Sequence, residues 1–87
     1  MDIKGYFKFI DNLDFEHYYS ISTTLESNAK VLEVAGAYGD ALVAAGFTRK
    51  SDSDRTARYE KGNELRCLMD YDAHKGEGTY FNIWFVF

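Results

Sequence analysis

The strongest pattern of apolar side chains along the chain lies in its last segment, residues 79–87. With the two-residue period of a β-strand, one set of alternate positions points to a single face: Phe81, Ile83, Phe85 and Phe87. The other set is also mostly apolar: Tyr80, Asn82, Trp84 and Val86. We therefore predict a strand with one core face and a second face that is covered by the sheet, another element or a partner chain.

Two earlier segments, residues 55–61 and 65–72, alternate in the same way. Their inward positions are Ala57, Tyr59, Leu65, Cys67, Met69 and Tyr71, and their outward positions include Arg58, Glu60, Arg66 and Leu68. A tight turn is predicted between them at residues 61–64, which contain Gly62 and Asn63. Together with the last segment they predict a three-stranded antiparallel meander at the C-terminus.

A helix is predicted from about residue 28 to 45. Apolar residues recur there at three- and four-residue spacing: Val31, Val34, Ala35, Tyr38, Leu42 and Ala45. Ser27 or Asn28 can cap its first turn, and Gly46 suits its end. Gly36 and Gly39 each cost about 1 kcal/mol of helix propensity relative to alanine, so they predict close approach of the helix to a sheet.

The N-terminal third gives less consistent patterns. Residues 17–25 predict a strand with Tyr19, Ile21 and Leu25 on one side, and residues 47–50 predict a short strand after the helix. Residues 3–10 fit two templates. A helix would align Ile3, Tyr6, Phe7, Ile10 and Leu13, whereas a strand would turn Phe7 and Phe9 inward. Gly5 and the density of aromatic residues favour the strand.

The fold class that follows is α+β. We expect a single helix (about 28–45) packed on one face of a mainly antiparallel sheet of four or five strands, which ends in the C-terminal meander. A chain of 87 residues is too short for a second core, so residues 1–87 are expected to form a single domain. Fifteen aromatic residues supply much of the apolar area of that core.

The net charge of −4 favours some kinds of binding partner over others. It resides in residues 1–40, which hold seven acidic and three basic side chains, whereas residues 41–87 are neutral. Repulsion from phosphate disfavours direct nucleic-acid binding, and the same charge favours a protein with a basic surface. The apolar runs are too short for a bilayer, so no membrane partner is expected. A single cysteine and an N-terminus unlike a signal peptide predict a cytoplasmic protein.

Candidate catalytic chemistry is sparse. Asp70, Asp72 and His74 have a spacing that would suit a divalent cation on a continuing strand, but two carboxylates at a solvated strand end and a histidine in a loop explain it better. Cys67 alternates with core residues, and a buried thiol is a poor nucleophile. We therefore predict a protein that is not an enzyme and has no metal or cofactor.

The outward face of the meander is the predicted binding site. It carries the residue types that dominate protein interfaces: Tyr80, Trp84, Asn82, Arg66, Leu68 and Arg58. One helix covers only one sheet face, so this face either binds a partner or is buried by the N-terminal segment. A homodimer formed through the face, or through the edge of the terminal strand, is the alternative.

In size, charge and lack of catalytic motifs the chain resembles phage anti-CRISPR proteins and bacterial immunity proteins and antitoxins. That resemblance in general character implies a small binding protein that inhibits or masks a larger protein. We accordingly expect a non-enzymatic inhibitor, with a self-associating interaction domain as the alternative. A metal-dependent enzyme and a sheet-based nucleic-acid binder have less support.

Overall fold

A computed structural model describes residues 2–52, 56–71 and 79–87. These ranges contain two helices and five strands: α1 (Ile3–Asp11), β1 (Tyr18–Thr24), α2 (Asn28–Ala44), β2 (Thr48–Asp52), β3 (Thr56–Lys61), β4 (Leu65–Tyr71) and β5 (Tyr80–Val86). The strands form one open antiparallel sheet in the order β1-β5-β4-β3-β2. The predicted α+β class, antiparallel sheet and C-terminal meander are confirmed.

Helix α2 begins and ends as its capping residues require. The Ser27 hydroxyl accepts a hydrogen bond from the Lys30 amide at 3.1 Å, which satisfies one of the free amides of the first turn. Gly46 follows the helix with a φ of 100°, a conformation that favours glycine. Phe47 then folds back, and its amide donates to the Leu42 carbonyl at 2.9 Å.

The inner face of the sheet packs against α2. Most of the alternate residues of the meander are buried there as predicted: Ala57, Tyr59, Cys67, Met69, Tyr71, Phe81 and Ile83. The predicted burial of Phe87 is wrong, because this residue follows the end of β5 and is 52% exposed. From the helix, Val31, Ala35 and Leu42 meet them. Gly39 is buried where a Cβ would clash with the Tyr59 hydroxyl, which confirms close approach at this residue. Gly36 is exposed and has nothing near it, so the same prediction is wrong there.

The N-terminal segment folds as helix α1, and the expectation of a strand and of a single helix is wrong. Asp2 caps it, since one of its carboxylate oxygens accepts a hydrogen bond from the Gly5 amide at 3.1 Å, and Asn12 ends it in the left-handed conformation. Ile3 and Phe7, one helical turn apart, are both buried. The helical period prevails because it puts these two side chains on the same side, toward the sheet.

Helix α1 covers part of the outer face of the sheet. Ile3 and Phe7 form a second buried cluster with Leu68 of β4 and Val86 of β5. The second apolar face of the last strand is therefore covered in part, at Val86 and the margin of Trp84, by a helix of the same chain. In the described ranges neither helix is long and apolar enough to cross a membrane.

The last strand also lies inside the sheet. Strand β5 pairs with β4 on one side and with β1 on the other, so its edge is not available for dimerisation. The two edges are β1 and β2.

Replacing Phe7 by alanine should destabilise the fold by about 3–5 kcal/mol, because its ring is fully buried between α1 and the sheet. Phe9→Ala is the matched control in the same helix. Its side chain is 87% exposed, and the change should alter the free energy of unfolding by no more than about 0.5 kcal/mol. Urea denaturation measures both values. Equal losses would contradict the docking of α1 through Phe7.

The single cysteine can report transient opening of the folded protein. Burial between Leu65 and Met69 raises the pKa of the Cys67 thiol from 9.0 to about 12, so the reactive thiolate is scarce at mildly alkaline pH. We expect a disulfide reagent to modify the folded protein only as fast as it opens, and the protein in denaturant at once. Rapid modification in native buffer would show that Cys67 is accessible.

Candidate binding surface on the outer sheet face

The structure places all six predicted site residues on the outer face of the sheet. Strand pairing aligns Arg58 with Leu68, and Leu68 with Trp84. Tyr80, Asn82 and Trp84 follow one another along β5, and Arg66 lies two residues before Leu68 on β4. Their common face therefore agrees with the alternation in the sequence, but their exposure differs.

Helix α1 removes Leu68 and Arg66 from the accessible surface. Leu68 is 2% exposed and Arg66 is 4% exposed. Trp84 is half-buried at the margin of the cluster that Phe7 and Leu68 form. Leu68 and Arg66 thus belong to the interior of the protein, and Trp84 presents only part of its ring to a partner.

The two arginines are bound by a single carboxylate at the end of α1. The Arg58 guanidinium donates to one oxygen of Asp11 at 2.8 Å, and Arg66 Nε donates to the other at 2.8 Å. Arg66 Nη1 also donates to the Gly62 carbonyl at 2.7 Å. All three side chains are at least four-fifths buried, with exposures of 18%, 5% and 12% for Arg58, Arg66 and Asp11.

This ion-pair cluster has a structural role that the sequence did not disclose. Asp11 is 47 residues from Arg58 and 55 from Arg66 along the chain, so spacing carries no signal of the contact. The bonds satisfy charges that would be costly to bury alone. Neither guanidinium is therefore presented to a partner, contrary to what the outward alternation suggests.

The accessible part of the outer face lies on β5 and β1, beyond α1. The register pairs Tyr80 with Thr24, Asn82 with Ser22 and Trp84 with Ser20. We call these residues the open outer face: Tyr80, Asn82, Trp84, Ser20, Ser22 and Thr24. The three on β1 are exposed and the three on β5 are partly exposed, so aromatic, amide and hydroxyl groups share one surface.

Strand β1 adds exposed aromatic and aliphatic residues beside this face. All seven of its residues are exposed, among them Tyr18 and Tyr19 at 57% each and Ile21 at 40%. The sequence predicted the strand and the common side of Tyr19 and Ile21. It did not predict their exposure, because burial depends on how far α2 extends over the sheet edge.

A shallow cleft on the opposite side lies between the end of α2 and the start of β2. Its volume is about 530 Å³, and it is lined by Asp40, Val43, Phe47, Thr48 and Arg49. The Arg49 guanidinium lies 5.5 Å from the centroid of the Tyr59 ring, a cation–π distance. One acid and one arginine that stacks on a core tyrosine do not form a set of catalytic groups.

The spacing considered for a metal falls mostly outside the described residues. Asp70 lies on β4 opposite Asn82 of β5, whereas Asp72 and His74 lie outside the described ranges. Within residues 2–52, 56–71 and 79–87, no three His, Cys, Asp or Glu side chains are arranged to hold a metal ion. The exposed imidazole of His17 has Glu16 at 3.9 Å.

Comparisons of the chain with models of protein families, with curated proteins and with solved structures found no match.

Removing the carboxylate of Asp11 should destabilise the protein by about 3 kcal/mol, because Asp11→Ala leaves the buried charge of Arg66 without its main partner. Asp14→Ala is the matched control. Its ion pair with Lys8 at 3.1 Å joins side chains that are 64% and 79% exposed, and its loss should cost less than about 0.5 kcal/mol. Thermal and urea denaturation compare the two. A similar small effect of both changes would show that the Asp11 cluster does not hold α1.

Proposed function

We propose that this protein is a non-enzymatic binding protein that inhibits or masks a larger protein with a basic surface. The observation that carries the proposal is the open outer face, where Tyr80, Asn82 and Trp84 stand beside three hydroxyl residues of β1. The remaining residues of the predicted site hold α1 in place, so the binding surface is displaced toward β1.

The composition of the open outer face supports a protein partner. Tyrosine and tryptophan supply large, rigid contact areas at low entropic cost, and serine and asparagine supply adaptable hydrogen bonds. Partly exposed aromatic residues of this kind are the usual anchors of interfaces. The net charge of −4 would speed the encounter with a basic protein.

The general resemblance in size and charge to phage anti-CRISPR proteins and bacterial immunity proteins and antitoxins fits this proposal. The ion-pair cluster adds a physical reason to look for binding rather than catalysis, since the buried cations of the outer face are already paired with Asp11.

Self-association through the open outer face is the alternative proposal. Two such faces stacked on each other would bury Tyr80 and Trp84. Stacking of nucleic-acid bases on the same two rings has less support, because the net charge is negative. A metal-dependent enzyme has the least support, since the spacing of Asp70, Asp72 and His74 is its only signal in the sequence. Sedimentation over a concentration series separates the dimer from the monomer.

Partner binding should depend on Ser22 and not on its neighbour Thr23. The two residues are adjacent and exposed on β1 but point to opposite faces of the sheet. Ser22→Arg places a bulky cation in the open outer face, and Thr23→Arg makes the same change of charge on the other side. We expect affinity capture from the host lysate at low salt to recover a stoichiometric partner with the native protein and with Thr23→Arg, and at least about tenfold less with Ser22→Arg.

Two outcomes would contradict this proposal. One is equal recovery with both variants, which would place the interface elsewhere. The other is a native protein that recovers no partner and sediments as a monomer. Circular dichroism and a urea midpoint for each variant ensure that a loss of binding does not reflect a loss of folding.

A further inference from the structure

Among the residues that the structure describes, β1 has a strand on only one side and so offers a free hydrogen-bonding edge. His17 and Phe87 exchange both backbone hydrogen bonds, at 2.9 and 3.0 Å, and the Leu25 amide donates to the Thr79 carbonyl at 2.8 Å. In an antiparallel pair these mutual bonds recur at every second residue, so the odd-numbered residues of β1 face β5. The even-numbered residues, from Tyr18 to Thr24, direct their amide and carbonyl groups outward from the edge of the sheet.

The opposite edge of the same sheet is protected, and β1 is not. Strand β2 has an irregular register between Arg49 and Ser51 and carries the charges of Arg49 and Lys50. A bulge and edge charges are the usual devices that prevent a further strand from pairing. Strand β1 keeps a continuous register with β5 over seven residues and contains no proline or charged residue.

The side chains of β1 suit an added strand. Tyr18 and Tyr19 alternate to opposite faces, each 57% exposed, and Ile21 is 40% exposed. Aromatic and β-branched residues gain most from a neighbour across an antiparallel pair. An added strand would cover these side chains and satisfy the outward amide and carbonyl groups at the same time.

The charges beside β1 indicate which kind of strand would pair with its free edge. Glu16 and Glu26 flank the strand, and both are exposed, the Glu16 side chain at 90%. A second copy paired in full antiparallel register, with Tyr18 opposite Thr24, would bring Glu16 of each copy opposite Glu26 of the other. This repulsion at both ends disfavours a homodimer, and the same two carboxylates would attract basic residues.

We propose that β1 binds an extended segment of a partner protein by strand addition, with an uncharged, β-branched core of about seven residues and a basic residue at each end. The proposal rests on the proposed function, and it names the mode of contact and the chemistry of the partner segment. The open outer face then lies directly beside the added strand, where the body of the partner would be seated.

The test uses a defined probe, a synthetic peptide with an alternating Thr-Val core and two lysines at each end. Amide hydrogen exchange of the full-length protein should show new protection of Ser20 and Ser22, whose amides point outward, and no new protection of Ile21 and Thr23, which already bond to β5. A peptide with glutamates in place of the lysines should bind at least about tenfold more weakly.

Backbone methylation of the peptide separates strand addition from side-chain contact without changing the protein. Methyl groups on one set of alternate amides remove the donors that face β1, and this peptide should not bind. Methyl groups on the other set face away from β1, and this peptide should bind like the parent. Equal binding of the two methylated peptides would overturn the proposal.

Variants of the protein separate this proposal from the proposed function. Ser22→Pro removes an outward amide without breaking a bond to β5, and it should abolish peptide binding, whereas Ser22→Ala should not. Asn82→Arg obstructs the open outer face and should leave peptide binding intact. If the peptide does not bind, but Ser22→Arg still reduces the recovery of a partner from lysate, strand addition is refuted and the proposed function stands.

A second copy on β1 would also refute the proposal. In that case Ser20 and Ser22 would be protected without peptide, in proportion to protein concentration. If instead the peptide binds as expected and no partner of the open outer face is recovered, strand addition stands and the proposed function fails.

Discussion

The docking of α1 onto the outer face is the contact on which the rest of the structure depends. Strand β5 carries apolar residues on both faces of the sheet, so each face needs an element packed against it, and α2 covers only the inner one. Helix α1 supplies the other with Ile3 and Phe7, and Asp11 at its end binds Arg58 and Arg66. Apolar burial drives the contact, while the charged hydrogen bonds fix where the helix lies, because they are favourable only in one geometry.

This docking also determines which chemistry the surface retains. The two guanidinium groups with outward positions on β3 and β4 are paired with Asp11 inside the protein, so these two cations are withdrawn from the surface. The side chains that remain accessible on the outer face of β5 and β1 carry aromatic, amide and hydroxyl groups. Such a surface can recognise a partner through shape and hydrogen bonds, and the acidic residues at its margins can select for basic charge.

The two edges of the sheet differ in a way that matters for association. Strand β2 combines an irregular register with basic residues, and strand β1 is regular and uncharged along its length. An unprotected edge favours pairing with other chains, and in our proposal the glutamates that flank β1 select among those chains by charge. Under the proposed strand addition they would oppose pairing between identical copies and favour segments of opposite charge.

The sequence by itself determined the local elements whose periodicity was unambiguous. The cap at Ser27, the stripe from Val31 to Leu42 and the two-residue alternation of the meander are local signals, and they correctly predicted α2 and strands β3 to β5. Residues 3–10 matched two periods, and only the tertiary structure decided between them, because the helical spacing of Ile3 and Phe7 lets both side chains pack on the apolar outer face.

The tertiary structure also decided which residues of the predicted site are accessible. Alternation put six residues on one face, but contacts across 47 and 55 residues of chain buried the arginines, and the order of the strands left β1 at the edge. Long-range contacts of this kind depend on how elements meet in space, for which a single sequence carries no local signal.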